Sequence, residues 1–272
     1  MSLSRNLAYA TMTTLALGTL AGCSNQKQLA YPAAPSDNTV DTIFGMTVPD
    51  PYRPLENDTA AETLRWVEAE NKVTEDYLSK IPFRSKINSR LTELNNYVKR
   101  GMTYRENDGM FYFFENDGLK NQSVLYRKPT VDSTEREVFL DPNTLSDDGT
   151  VALTGVFQSK DGKYTAYTIS RSGSDWTEIF VMDTKTKELL PDHILWGKFT
   201  DASWDGDGFY YSASPVPEEG KEFSNANQNH LVYYHKLGTP QSEDTIAFSD
   251  PQHPFHFHRA QVAESQPVTF VH

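Results

Sequence analysis

Of 272 residues, 38% are hydrophobic and 12% aromatic, which is enough for a sizeable core and too apolar for a disordered chain. The 37 acidic residues outnumber 25 basic ones for a formal charge of -12, so no basic stripe awaits a phosphate backbone and nucleic acid is not an expected partner. A lone cysteine, Cys23, excludes an internal disulfide and leaves packing to hold the fold.

Residues 1–22 place Arg5 ahead of a mostly apolar or small-residue run from Leu7 to Ala21, the order of a secretory signal. The run is too short for a comfortable membrane span of about 20 apolar residues. It ends in Leu20-Ala21-Gly22-Cys23, which resembles the bacterial lipoprotein processing box. That resemblance implies lipidation at Cys23, and Ser24 after it implies anchoring at the outer membrane, facing the periplasm. Residues 23–34, polar and then proline-rich, are expected to be the tether between lipid and fold.

Residues 35–100 read as a helical amino-terminal segment. From Thr59 to Ser79, Leu64, Val67, Ala69, Val73, Tyr77 and Leu78 recur at helical spacing. Pro82 stops this pattern, and a second helix over Ser85–Tyr97 aligns Ile87, Leu91 and Leu94. Such an amphipathic pair needs a surface to cover.

From residue 101 to 272 the texture becomes short β-rich runs. Strands are expected at Met110–Phe114, Ser123–Tyr126, Glu137–Leu140, Val151–Phe157, Tyr164–Ser170, Ile179–Met182, Phe209–Ser212 and Leu231–Tyr234. Asp-Gly pairs at 108, 117, 148, 161 and 207 punctuate them, a pair favoured in tight turns because both residues tolerate positive φ. The Asp-Gly-then-aromatic pattern at Ser159–Tyr167 returns at Trp204–Tyr211, about 45 residues on, the length of one four-stranded propeller blade. The roughly 170 residues after Gly101 hold about three to four blades at that size. The expected fold is therefore mainly β: a partial propeller behind a short helical segment.

Three places invite a chemical reading. Ser172-Gly-Ser174-Asp175-Trp176 offers a serine but no Gly-x-Ser-x-Gly elbow, a pentapeptide found nowhere in the chain, and no assignable base, so no catalytic residue is expected. His253, His256, His258 and His272 have a spacing that could hold zinc, yet they lie in a Pro- and Phe-rich stretch without a clear helix or hairpin, and no metal is expected. Asp141–Gly149 departs from a calcium loop at Leu145 and in the place of its glycine, which leaves a solvated turn. No cofactor is expected.

Four runs, Gly118–Arg127, Phe139–Leu153, Ser172–Trp176 and Tyr233–Asp244, closely resemble in order and spacing the amino-terminal half of prolyl oligopeptidases, serine peptidases that cleave short peptides after proline. Asp50–Glu56 and Trp66–Lys72 resemble that family's opening motif, with Pro54 standing where a Trp is usual. The resemblance implies a seven-bladed propeller that admits oligopeptides to a Ser-Asp-His site in a following α/β-hydrolase domain. It implies that Phe199 and Phe257 line the substrate pocket from the propeller side and that Asp175 makes an ion pair across the interdomain face. Since the matched runs fade after Pro254 and the sequence given stops at His272, the expectation is a truncated portion, inactive alone, with a separately encoded catalytic domain as one further partner. The alternative is an independent propeller-like binding lipoprotein without catalysis.

Overall fold

The computed structural model describes residues 29–218, 222 and 226–272. Cys23 and the signal-like run lie outside the described residues. Two compact units divide between Arg84 and Ser85, whereas the change in sequence texture places a boundary at residue 100.

In the first unit, β1 (Val40–Ile43) and β2 (Met46–Pro49) form an antiparallel hairpin within the segment read as helical. Its turn residues, Phe44 and Gly45, have φ 51° and 78°, the left-handed pair of a two-residue hairpin loop. Arg53 ties Asp41 of β1 to Asp50. The expected first helix is α1 (Ala61–Ser79), with Leu64, Val67 and Tyr77 exposed and Thr63 buried.

The second unit opens one residue into α2 (Arg84–Asn95), whose stripe of Ile87, Leu91 and Leu94 is about half exposed. Three antiparallel meanders follow. The first is β3 (Lys99–Arg100) and β4 (Tyr104–Arg105) on β5 (Phe111–Asn116), then β6 (Val124–Lys128) and β7 (Glu137–Leu140). The second is β8 (Val151–Gln158), β9 (Tyr164–Arg171), β10 (Trp176–Asp183) and β11 (Leu189–Lys198). The third is β12 (Ser203–Asp205), β13 (Gly208–Ala213), β14 (Leu231–Lys236) and β15 (Thr245–Phe248), joined to the second by the Gly197–Ala213 pairing. A hairpin of β16 (Ala260–Val262) and β17 (Thr269–Val271) comes last.

Strand alternation shows how the meanders stack. Neighbouring residues in a strand point to opposite faces. Ala166 of β9 joins a cluster with Ile179, Val181 and Ile194 from its own meander and Trp204, Phe209 and Tyr211 from the third. Tyr167, one residue on, joins Tyr112, Leu125 and Phe139 of the first. Each apolar layer thus lies between successive sheets, as blades of a propeller pack, and the fold is the expected partial propeller of three blades and a further hairpin.

The sequence runs singled out above include side chains that cross blade boundaries. Gln122 receives the backbone N–H of Leu153 and donates to the carbonyl of Val151, while Asn143 accepts from the Gln122 backbone N–H. Arg127, 7% exposed, bridges Glu137 and the carbonyl of Thr184 on the next blade. His235 lies between Asp244 at 2.7 Å and Asp192 of the preceding blade at 3.1 Å, with all three side chains buried.

Of the Asp-Gly pairs, Asp207-Gly208 does not form the expected turn. The turn is Gly206-Asp207, with Gly206 at φ 59°, and Gly208 already pairs with Lys236 in β13. Gly208 is required for a different reason: a Cβ there would lie 2.1 Å from the His235 carbonyl. Strand β11 was not anticipated, because Pro191, Asp192 and Gly197 are residues that strands avoid. Register shifts against β10 accommodate them.

Candidate functional site

Four pieces of chain converge where β11 ends. Trp176, opening β10, pairs with Lys198, closing β11. The Lys198 carbonyl accepts a hydrogen bond at 2.7 Å from Nε2 of His230, just before β14. The His230 Nδ1 accepts in turn from the backbone N–H of His258, in the β15–β16 connection, at 3.0 Å. An imidazole that accepts at one nitrogen and donates at the other is neutral, and burial accordingly lowers the His230 pKa.

This lacing sets Phe199 against Phe257 edge to face, centroids 5.0 Å apart, with the His230 ring 5.3 Å from Phe257. Phe257 is 48% exposed and Phe199 half-buried, so the pair presents an aromatic ledge rather than core. The backbone here is strained: Trp196 and Phe199 have φ 61° and 47°, a left-handed region that costs an L-residue roughly 1–2 kcal/mol. Strain of this kind on bulky residues persists where surrounding contacts enforce it, commonly at functional sites.

Beside the ledge, the Lys198 ammonium sits 4.1 Å from the Trp176 ring centre and 5.9 Å from that of Phe199, while Trp176 meets Trp196 edge to face. Burial lowers the Lys198 pKa against the opposing charge of Asp175, which itself is exposed. The site joins a flat apolar wall to a sheltered cation and an exposed carboxylate. Such a surface suits an apolar side chain on a polar backbone.

The structure therefore brings Phe199, Phe257 and the neighbourhood of Asp175 together. Ser174 has a local role: Ser172 and Gly173, at φ 51° and 73°, make a hairpin turn closed by Ser174 N–H on the Arg171 carbonyl, and its hydroxyl accepts from Trp176 N–H. Asp141 caps a short helical turn by accepting from Asn143, consistent with a structural loop. Sequence reasoning missed Lys198, Trp176 and His230 as the frame of the ledge. His230 could not be found locally, because its partners are 32 and 28 residues away.

A family model described as the prolyl oligopeptidase N-terminal beta-propeller domain matches residues 31–272. The chain belongs to the prolyl oligopeptidase family. Among relatives in that family, the prolyl endopeptidase of Elizabethkingia miricola is 43% identical over 244 residues, 89% of this chain and 34% of the relative. A dual function macrocyclase-peptidase of Galerina marginata is 32% identical over 268 residues, 89% of this chain and 36% of the relative. The solved structure of prolyl oligopeptidase B from Galerina marginata, bound to a 35mer hydrolysis and macrocyclization substrate, matches with a TM-score of 0.73 at 30% identity. That match covers 91% of this chain and 37% of the other. The chain spans about a third of the length of the prolyl oligopeptidase relatives it matches and corresponds to their amino-terminal portion.

Proposed function

We propose that this chain is the propeller portion of a serine peptidase that cleaves short peptides after proline, and that the propeller controls access of peptides to a catalytic domain. The observation that carries the reading is the Phe199–Phe257 ledge, with Phe199 on strained backbone, held by His230 beside Lys198 and Asp175. In this reading the two rings form the propeller-side wall for an apolar substrate side chain, and exposed Asp175 pairs with a base on the catalytic domain. The 272 residues contain no Gly-x-Ser-x-Gly elbow, so they alone supply the wall and not the nucleophile.

A chimera tests this. Residues 31–272 replace the matching segment of the Elizabethkingia miricola enzyme, and cleavage of a Gly-Pro amide reporter is measured. The chimera is expected to cleave, Phe199→Ala to raise KM roughly 10-fold with kcat less affected, and the 272-residue chain alone to stay at background. Unchanged KM in Phe199→Ala, or cleavage by the chain alone that is lost in Ser174→Ala, would defeat the reading.

The same protein is proposed to be a lipoprotein of the bacterial envelope anchored at Cys23, on the strength of the Leu-Ala-Gly-Cys run after an apolar signal. Cys23→Ser is expected to release it from membrane fractions. A mature amino terminus carrying no acyl mass in the unmutated protein refutes the anchor.

A further inference from the structure

We propose that Asp250, His253 and His256 form a binding site for a zinc-class divalent transition-metal ion in the connection between β15 and β16. Each offers one donor atom, and these atoms lie within 4.8 Å of one another. The sequence pattern offers no helix or hairpin to align the histidines. The structure supplies another device: two successive turns, closed by His253 N–H on the Asp250 carbonyl and by His256 N–H on the His253 carbonyl. Three-residue steps of this kind return each donor to one side of the segment.

The distances suit the ion. Bonds of about 2.0–2.1 Å from Zn²⁺ to nitrogen or oxygen place tetrahedral donors roughly 3.3 Å apart. Asp250 Oδ2 stands 2.8 Å from His253 Nδ1 and 3.9 Å from His256 Nδ1, values on either side of that spacing. The two imidazole rings lie parallel, 4.7 Å apart; Nδ1 of His253 hydrogen-bonds an Asp250 carboxylate oxygen, and Nδ1 of His256 lies 3.9 Å from the same oxygen.

The frame is fixed from outside the cluster. The Pro254 carbonyl, between the two histidines, accepts from Asn229 N–H at 2.6 Å, and His258 N–H is held by His230. The histidine side chains are 55% and 61% exposed, so an ion can enter and small rotations can complete the geometry. Two imidazoles with one carboxylate select zinc-class ions over Ca²⁺ or Mg²⁺, which take all-oxygen sets, and three protein ligands leave a fourth position for water. Bound metal would fasten the connection that carries Phe257, one residue beyond His256.

The test uses the full chain without a polyhistidine tag, stripped with a chelator and titrated with ZnCl₂ by calorimetry, and then with Co²⁺ under visible absorption. One equivalent is expected to bind, Co²⁺ to give a tetrahedral d–d spectrum, and His253→Gln and His256→Gln each to weaken binding at least about 10-fold. His272→Gln is expected to leave it unchanged. Saturable binding that survives both ligand substitutions, or falls equally in His272→Gln, overturns the site. So does an octahedral Co²⁺ spectrum in the unmutated chain, a readout that requires no variant to fold.

Discussion

Two buried histidines in this protein are held in opposite charge states by their partners. His230 accepts a backbone N–H and is neutral, with its pKa lowered by burial. His235 faces a carboxylate at each nitrogen and must donate to both; burial pulls its pKa down, but Asp244 and Asp192 outweigh this and raise it. Linkage then gives opposite signs. A lowered folded pKa means that the unfolded chain binds the proton more readily, so the His230 contribution is lost as pH falls below about 6.5. A raised one means that the His235 contribution is complete below about 6.5 and lost as pH rises through the folded pKa. Melting temperature across pH 5–9 is therefore expected to peak near the middle, with His235→Gln flattening the alkaline limb and His230→Gln the acid limb. His235→Gln is also expected to cost about 3–5 kcal/mol at pH 6, because it leaves two buried carboxylates without their cation. An alkaline limb unchanged in His235→Gln contradicts this assignment. At this scale the sequence was only partly legible. Phe199 and Phe257 were singled out from resemblance and do meet, but the neutral His230 that seats them depends on contacts that no local pattern encodes.

At the scale of elements, period-two runs rich in Tyr, Phe, Val and Ile were read well, since all eight expected strands correspond to observed ones. Turn chemistry was read where glycine supplies a left-handed φ, as at Gly109 and Gly162, and misread at Gly208, where glycine serves close backbone approach. In β11, a strand not expected from the sequence, pairing overrides composition. β11 contains Pro191, Asp192 and Gly197, yet Asp192 is the buried partner of His235 and Gly197 packs its backbone against Thr177. Residues that weaken a strand in isolation here make the junction between blades. The β1–β2 hairpin was missed for a related reason: Phe44 occupies a left-handed turn position that favours Gly or Asn, so the usual signal was absent.

At the scale of the molecule, the blade interfaces are closed by buried polar locks, whereas other apolar surface stays open. The stripe Ile87, Leu91 and Leu94 on α2 is about half exposed, and Phe270 of β17 is 59% exposed beside Val271. An amphipathic helix with its apolar face in water gains little from burial within its own fold. A strand edge bearing apolar side chains is a template for pairing with another chain. The 272-residue chain on its own is therefore expected to associate with increasing concentration, read as rising mass by light scattering across a dilution series. Leu91→Ser with Leu94→Ser is expected to reduce that association while costing less than about 0.5 kcal/mol per site, because neither side chain leaves a filled core. The opposite pattern, a monomer at every concentration whose cooperative melt drops sharply in the double variant, would mean that the stripe is already satisfied within the chain. That result would favour an independent binding module over a propeller that works against a catalytic domain.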